Sequence, residues 1–149
     1  MKTRSRFFQG IGLLILLISI ALFTFSARDQ SRAQVFPATI NRDCAPWDGS
    51  AFTVSIRYDP ITTITVSIWQ SPDINIPTTF TFPDDSGQVG FAYILPELDP
   101  LQQLTGKVFF TSVESEFPVE GWFDFVTEAG QRIAGRFKAE WENTVAMCG

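Results

Sequence analysis

The 149-residue chain contains no histidine, so it lacks imidazole, the commonest general base and metal ligand. Serine–histidine triads, histidine-ligated zinc hydrolases and histidine-ligated haem are excluded with it. Charge is also scarce: charged residues make up 18% of the chain, and acids outnumber cations for a net −5. A nucleic-acid binder needs a basic footprint, and this chain has none. The two cysteines form no CxxC pair, which argues against a redox dithiol or a thiolate metal cluster. Walker-type and dinucleotide-binding glycine loops, the Gly-x-Ser-x-Gly elbow and Ser-x-x-Lys are all missing. No segment sustains a 3.6-residue apolar repeat, so no substantial helix is expected in the body of the chain. At 45% hydrophobic the sequence is still too apolar for disorder, and its length suits one domain.

The amino terminus has a pattern of its own. Lys2, Arg4 and Arg6 precede an uncharged apolar run over residues 11–25. A basic start, an apolar core of about 7–15 residues and then small residues describe a secretory signal peptide. Cleavage after Ser26 or after Ala33 fits this pattern, the second leaving a mature start at Gln34. The alternative is a retained signal anchor, because residues 7–27 include only one strongly polar side chain, Gln9, and are long enough to span a bilayer. Both alternatives expect a hydrophobic targeting helix over residues 1–33 and place residues 34–149 outside the cytoplasm. A lipid-attached start is not expected, since polar Asn41-Arg42-Asp43 precedes Cys44. Residues 1–33 hold five of the eleven cations (Lys2, Arg4, Arg6, Arg28 and Arg32) and one acid, Asp29, so residues 34–149 carry six cations against fifteen acids, a net −9. Passive binding to anionic membranes is disfavoured by that field. Any membrane association is expected only through an uncleaved amino terminus.

Export gives the cysteines a use. Cys44 near the mature start and the penultimate Cys148 are expected to form one disulfide tying the domain's ends together. Residues 34–50 read as a lead-in, and 51–149 as an all-β domain closed by that bond.

From residue 51 the dominant period is two. Phe52, Val54, Ile56 and Tyr58 alternate with Thr53, Ser55 and Arg57; Asp59-Pro60 breaks the run; Ile64, Val66 and Ile68 then alternate with Thr63, Thr65 and Ser67. Residues 74–82 suggest an edge strand or a bend, because Pro77 interrupts them. Residues 83–87 have turn chemistry, and Val89, Phe91, Tyr93 and Leu95 alternate with smaller residues as the next strand. Residues 96–106 are the longest irregular stretch, with Asp99-Pro100 able to start one helical turn, and 108–113 are apolar on both faces, as in a central strand.

The sharpest expectation is the last hairpin. A three-residue loop, Glu128-Ala129-Gly130, with glycine at the left-handed position, pairs Thr127 with Gln131. Phe125 then meets Ile133, Phe123 meets Gly135, Gly121 meets Phe137, Trp122 meets Arg136 and Glu120 meets Lys138. A one-residue slip would turn the apolar sets to opposite faces, so the register is well specified. About seven strands, mostly neighbour to neighbour, favour an antiparallel β-sandwich, with a small up-and-down barrel as the alternative.

Few residues could carry chemistry. The carboxylate pairs Asp84/Asp85, Glu97/Asp99 and Glu114/Glu116 fall in turns or loop edges, where solvated carboxylates are ordinary. Asp84-Asp85-Ser86-Gly87 lacks the ligand run of a calcium loop, and no metal or cofactor is expected. Trp47 and Trp141 read as core or loop-packing residues. Trp69 and Trp122 instead fall on the polar faces of their strands, where Trp122 could stack on Arg136 or, with Trp69, form a recognition surface. The leading expectation is therefore a non-enzymatic, exported domain that binds a protein or envelope component. The alternatives are a carbohydrate-binding module using Trp69 and Trp122, and a small barrel holding an apolar ligand among its phenylalanines.

Overall fold

The computed structural model describes residues 34–96, 100–115, 117–142 and 145–148. The targeting segment, the helical turn expected at Asp99, the Glu97/Asp99 pair and Glu116 lie outside the described residues. The described chain is all-β: β1 (Val35–Cys44), β2 (Ser50–Asp59), β3 (Thr62–Ile68), β4 (Thr78–Phe82), β5 (Gly90–Pro96), β6 (Gln102–Gln103), β7 (Thr105–Phe110), β8 (Val119–Val126) and β9 (Arg132–Trp141).

These strands form one sheet in the order β4-β7-β8-β9-β1-β2-β3-β5-β6. The expected sandwich would need two separately bonded layers, and the chain instead builds a single sheet that curls into an open half-barrel. Two observations require the curl. The last strand in the order, β6, is followed after Leu104 by β7, which is second in the order, so residues 102–110 join both ends of the sheet. Phe52 and Phe110, on strands four places apart, bring their ring centroids within 5.6 Å. A flat sheet would hold such strands roughly 19 Å apart.

Further differences from the sequence reading have physical reasons. Residues 34–50, read as a lead-in, contain the central strand β1, in which Phe36, Ala38 and Ile40 are buried in phase. Pro37 faces outward and disguises that alternation. The β1–β9 pair is parallel, so the sheet is not wholly antiparallel. Residues 96–106, read as irregular, include β6 and the start of β7. Upstream of β4, Ile74 bridges Val113, and the strand itself begins only after Pro77.

The hairpin register is as expected at all five pairs, from Phe125–Ile133 to Glu120–Lys138. Gly130 has φ of +80°, and Thr127 and Gln131 close the loop by a 2.9 Å backbone hydrogen bond. At Gly135 a side chain would strike the ring of Phe36 on β1, so hairpin and central strand interlock through that glycine. β2 and β3 also match the sequence reading, turning through Asp59, whose Oδ1 accepts from the Ile61 amide at 2.9 Å. Phe52, Phe82, Phe110, Phe123, Phe125 and Phe137 are fully buried. Phe110 alone meets Phe52, Phe80 and Phe137. Phenylalanine rings thus fill the concave interior. Cys44 and Cys148 are joined, with Cα atoms 5.5 Å apart. A disulfide belongs to an oxidising, extracytoplasmic compartment.

Candidate functional site

In β5 the alternation by size is inverted. Its bulkier set, Phe91, Tyr93 and Leu95, faces out, while Ala92 and Ile94 face the core. The register with β3 requires this: Val66 opposes Ala92 and Ile64 opposes Ile94, all buried, so Ser67 opposes Phe91 and Thr65 opposes Tyr93 on the other face. A strand apolar on both faces gives no sequence signal of which set is inside.

The inversion builds an aromatic cluster on the outside. Phe91 and Tyr93 stack at 5.5 Å, and Trp69, just past β3, meets Phe91 edge-on at 5.9 Å. Trp47 then meets Trp69 edge-on at 5.5 Å. Trp47 reaches this position from the 45–49 loop, which is closed by hydrogen bonds from the Ala45 amide to the Gly49 carbonyl and from the Asp48 amide to the Ala45 carbonyl. Cys44, with its disulfide, adjoins that loop. Trp47 is 54% exposed and Phe91 38%, so the cluster is open to solvent although its rings support one another. Trp47 is thus a loop-packing residue and not a core one. Trp141 is half-buried against the core, its Nε1 donating to the Glu114 carbonyl at 2.9 Å and the Arg42 guanidinium lying 5.8 Å from its ring.

Beside the aromatic rings lies a hydroxyl grid. Thr53, Ser55, Thr63, Thr65 and Ser67 share the outer face of β2 and β3, and Thr39 continues it on β1. The Thr53 hydroxyl lies 2.7 Å from Asp43 Oδ2 and 3.2 Å from Ser67 Oγ. Thr65 and Ser67 are buried although they face outward, because their neighbours stand over them. A shallow depression of about 350 Å³ opens here, lined by Pro37, Ala38, Thr39, Ser55, Arg57, Thr63 and Glu142. Strand register brings Thr39, Ser55, Arg57 and Thr63 together, and the chain just beyond β9, held by the Glu142 amide donating to the Ile40 carbonyl, adds Glu142.

The two tryptophans expected to act together are separated. Trp122 on β8 lies four strands from β3, on the outside of the curl. It stacks on Phe109 at 5.6 Å, and the cation over its ring is Lys107 Nζ at 5.8 Å, where the sequence suggested Arg136. Arg136 is exposed and opposes Trp122 in the β8–β9 register. Asp84 and Asp124 serve local structure. Asp84 Oδ2 accepts from the Gln88 and Val89 amides at 3.1 and 3.3 Å. The Ser86 hydroxyl bonded to the same carboxylate is the main cause of a pKa below the ordinary aspartate value. Asp124 is held low chiefly by its hydrogen bonds from Arg132, at 2.7 and 2.8 Å.

Compared with protein-family models, curated proteins and solved structures, the chain matches none, so its function must be read from its own residues.

Proposed function

We propose that residues 34–149 form a non-enzymatic binding domain that works outside the cytoplasm, delivered there by residues 1–33 as a signal peptide or a signal anchor. The outward-facing cluster of Trp47, Trp69, Phe91 and Tyr93, in which Trp47 and Phe91 are exposed and the other two half-buried, carries this reading. Exposed apolar surface is costly to a monomer, and tryptophan and tyrosine dominate recognition surfaces because they contribute large, rigid contact area. The Cys44–Cys148 bond supports the compartment.

A photoreactive amino acid replacing Trp47 in the native cell envelope tests the surface. Capture of a specific partner, absent when the label replaces Ala134 on β9, is the expected result. Equal or no capture at both positions, of protein or of glycan, together with no saccharide binding, overturns the reading. Amino-terminal sequencing of the exported chain separates the delivery modes: a start at Ala27 or Gln34 means cleavage, and a start within residues 1–6 means an anchor.

A further inference from the structure

We infer that the ligand of this face is a neutral oligosaccharide, lying across the strands with one end on the aromatic cluster and the other in the shallow depression beside Thr39. The inference rests on the binding reading above and adds the chemical class and the second half of the site.

The strand register lays the path. Tyr93 opposes Thr65, Thr65 opposes Ser55, and Ser55 opposes Thr39, so one row runs from an aromatic ring, past the covered Thr65, to the partly exposed Ser55 and the depression. Three strand spacings separate its ends, about 14 Å. A chain of a few sugar rings covers that span, whereas a single small molecule reaches one end only.

The lining selects the class. Arg57 offers only donors, Glu142 only acceptors, Thr39, Ser55 and Thr63 offer both, and Pro37 and Ala38 add apolar surface of the kind a sugar's C–H face meets. A ligand whose groups each donate and accept, a polyol, satisfies all three kinds at once. An anionic polymer would satisfy Arg57 but meet Glu142 and the net −9 of residues 34–149. A cationic one would meet Arg57. Among the described residues no ion pair joins Arg57 to Glu142, so their charges are not spent on each other. At the other end, the apolar C–H face of a pyranose matches an aromatic ring in both shape and polarity. A flat protein partner would use the aromatic cluster and leave the concave end unfilled.

The test is calorimetric titration of the exported full chain with neutral hexasaccharides of β-linked glucose, mannose and N-acetylglucosamine, with hexagalacturonate as the anionic counter-probe. At least one neutral hexasaccharide should bind, and hexagalacturonate should not. Arg57→Ala, Glu142→Ala and Trp47→Ala change exposed side chains and should each weaken binding about tenfold or more, a loss of 1.4 kcal/mol. Trp122→Ala should leave affinity within about twofold, far inside that tenfold scale. Near-UV circular dichroism confirms that each variant is folded. The inference is overturned if no neutral hexasaccharide binds, if hexagalacturonate binds as well as they do, or if Arg57→Ala and Glu142→Ala leave binding intact. Should saccharides fail while the Trp47 probe still captures a protein, the sugar assignment falls and the binding reading stands.

Discussion

The outer face of this half-barrel differs from one side to the other. On β8 and β9 it is laced with charge: Glu120 opposes Lys138, Trp122 opposes Arg136, and Arg132 clamps Asp124 with two hydrogen bonds. On β2, β3 and β5 the corresponding positions are Thr53, Ser55, Arg57, Thr63, Thr65, Ser67, Phe91, Tyr93 and Leu95, with a single charge among them. Both surfaces belong to one sheet over one core, so packing does not demand the difference. A charged, water-facing surface with the Arg132–Asp124 pair on it is satisfied by solvent and by that pair. A face of hydroxyls and open aromatic rings, in a domain that carries excess negative charge, is the part of the surface that a ligand would improve.

Four experiments would break or sharpen this comparison. Phe110→Ala should have the largest effect, because the ring is fully buried and meets rings from β2, β4 and β9. A loss of about 3–5 kcal/mol is expected, in a single denaturant transition reported alike by tryptophan fluorescence and far-UV circular dichroism. Two separate transitions would mean that the two sides fold independently. Replacing Cys44 and Cys148 by serine should cost about 2–4 kcal/mol, since a cross-link over 104 residues is removed. That variant should also change the near-UV signal of the Trp47–Trp69 pair, because Cys44 borders the 45–49 loop.

Trp47→Ala should cost only about 1 kcal/mol in stability, the edge-on contact with Trp69 being its main support. A much larger loss would make Trp47 a structural residue and weaken its assignment to recognition. Asp124→Asn should have the smallest effect, because the Arg132 partner is 71% exposed, and high salt should shrink it further. Asp124 titrates below the ordinary 3.8 because Arg132 hydrogen-bonds its charged form. Its contribution is therefore present above that pH and is lost as the pH falls below it. Acid titration of the wild type against Asp124→Asn should show the two stability curves converging below about pH 4.

How far the sequence could be read depended on how local each feature is. The β8–β9 hairpin was legible pair by pair because a three-residue loop ending in glycine sets the register and every neighbour lies within about twenty residues. The Asp59 turn between β2 and β3 was legible for the same reason. The candidate site was not. Trp69 was visible as an aromatic residue on a polar face, but Trp47, Tyr93 and Glu142 join it only through the loop, the β3–β5 register and the chain beyond β9. Trp122, which looked equivalent to Trp69 in the sequence, rests on Phe109 and beneath Lys107 four strands away.

By itself the sequence determined the strand-rich body, the turns, the last hairpin's register and the cysteine pair that the structure joins. Period-two alternation and turn residues act within a few positions, and two cysteines permit one pairing. Tertiary structure alone decided that nine strands would share one curled sheet, that β1 would pair in parallel with β9, and that β5 would turn its larger side chains outward. Those choices depend on how much volume the interior can hold. Once Phe52, Phe80 and Phe110 fill it, Ala92 and Ile94 go inward, and Phe91, Tyr93 and Leu95 remain outside, available to a ligand.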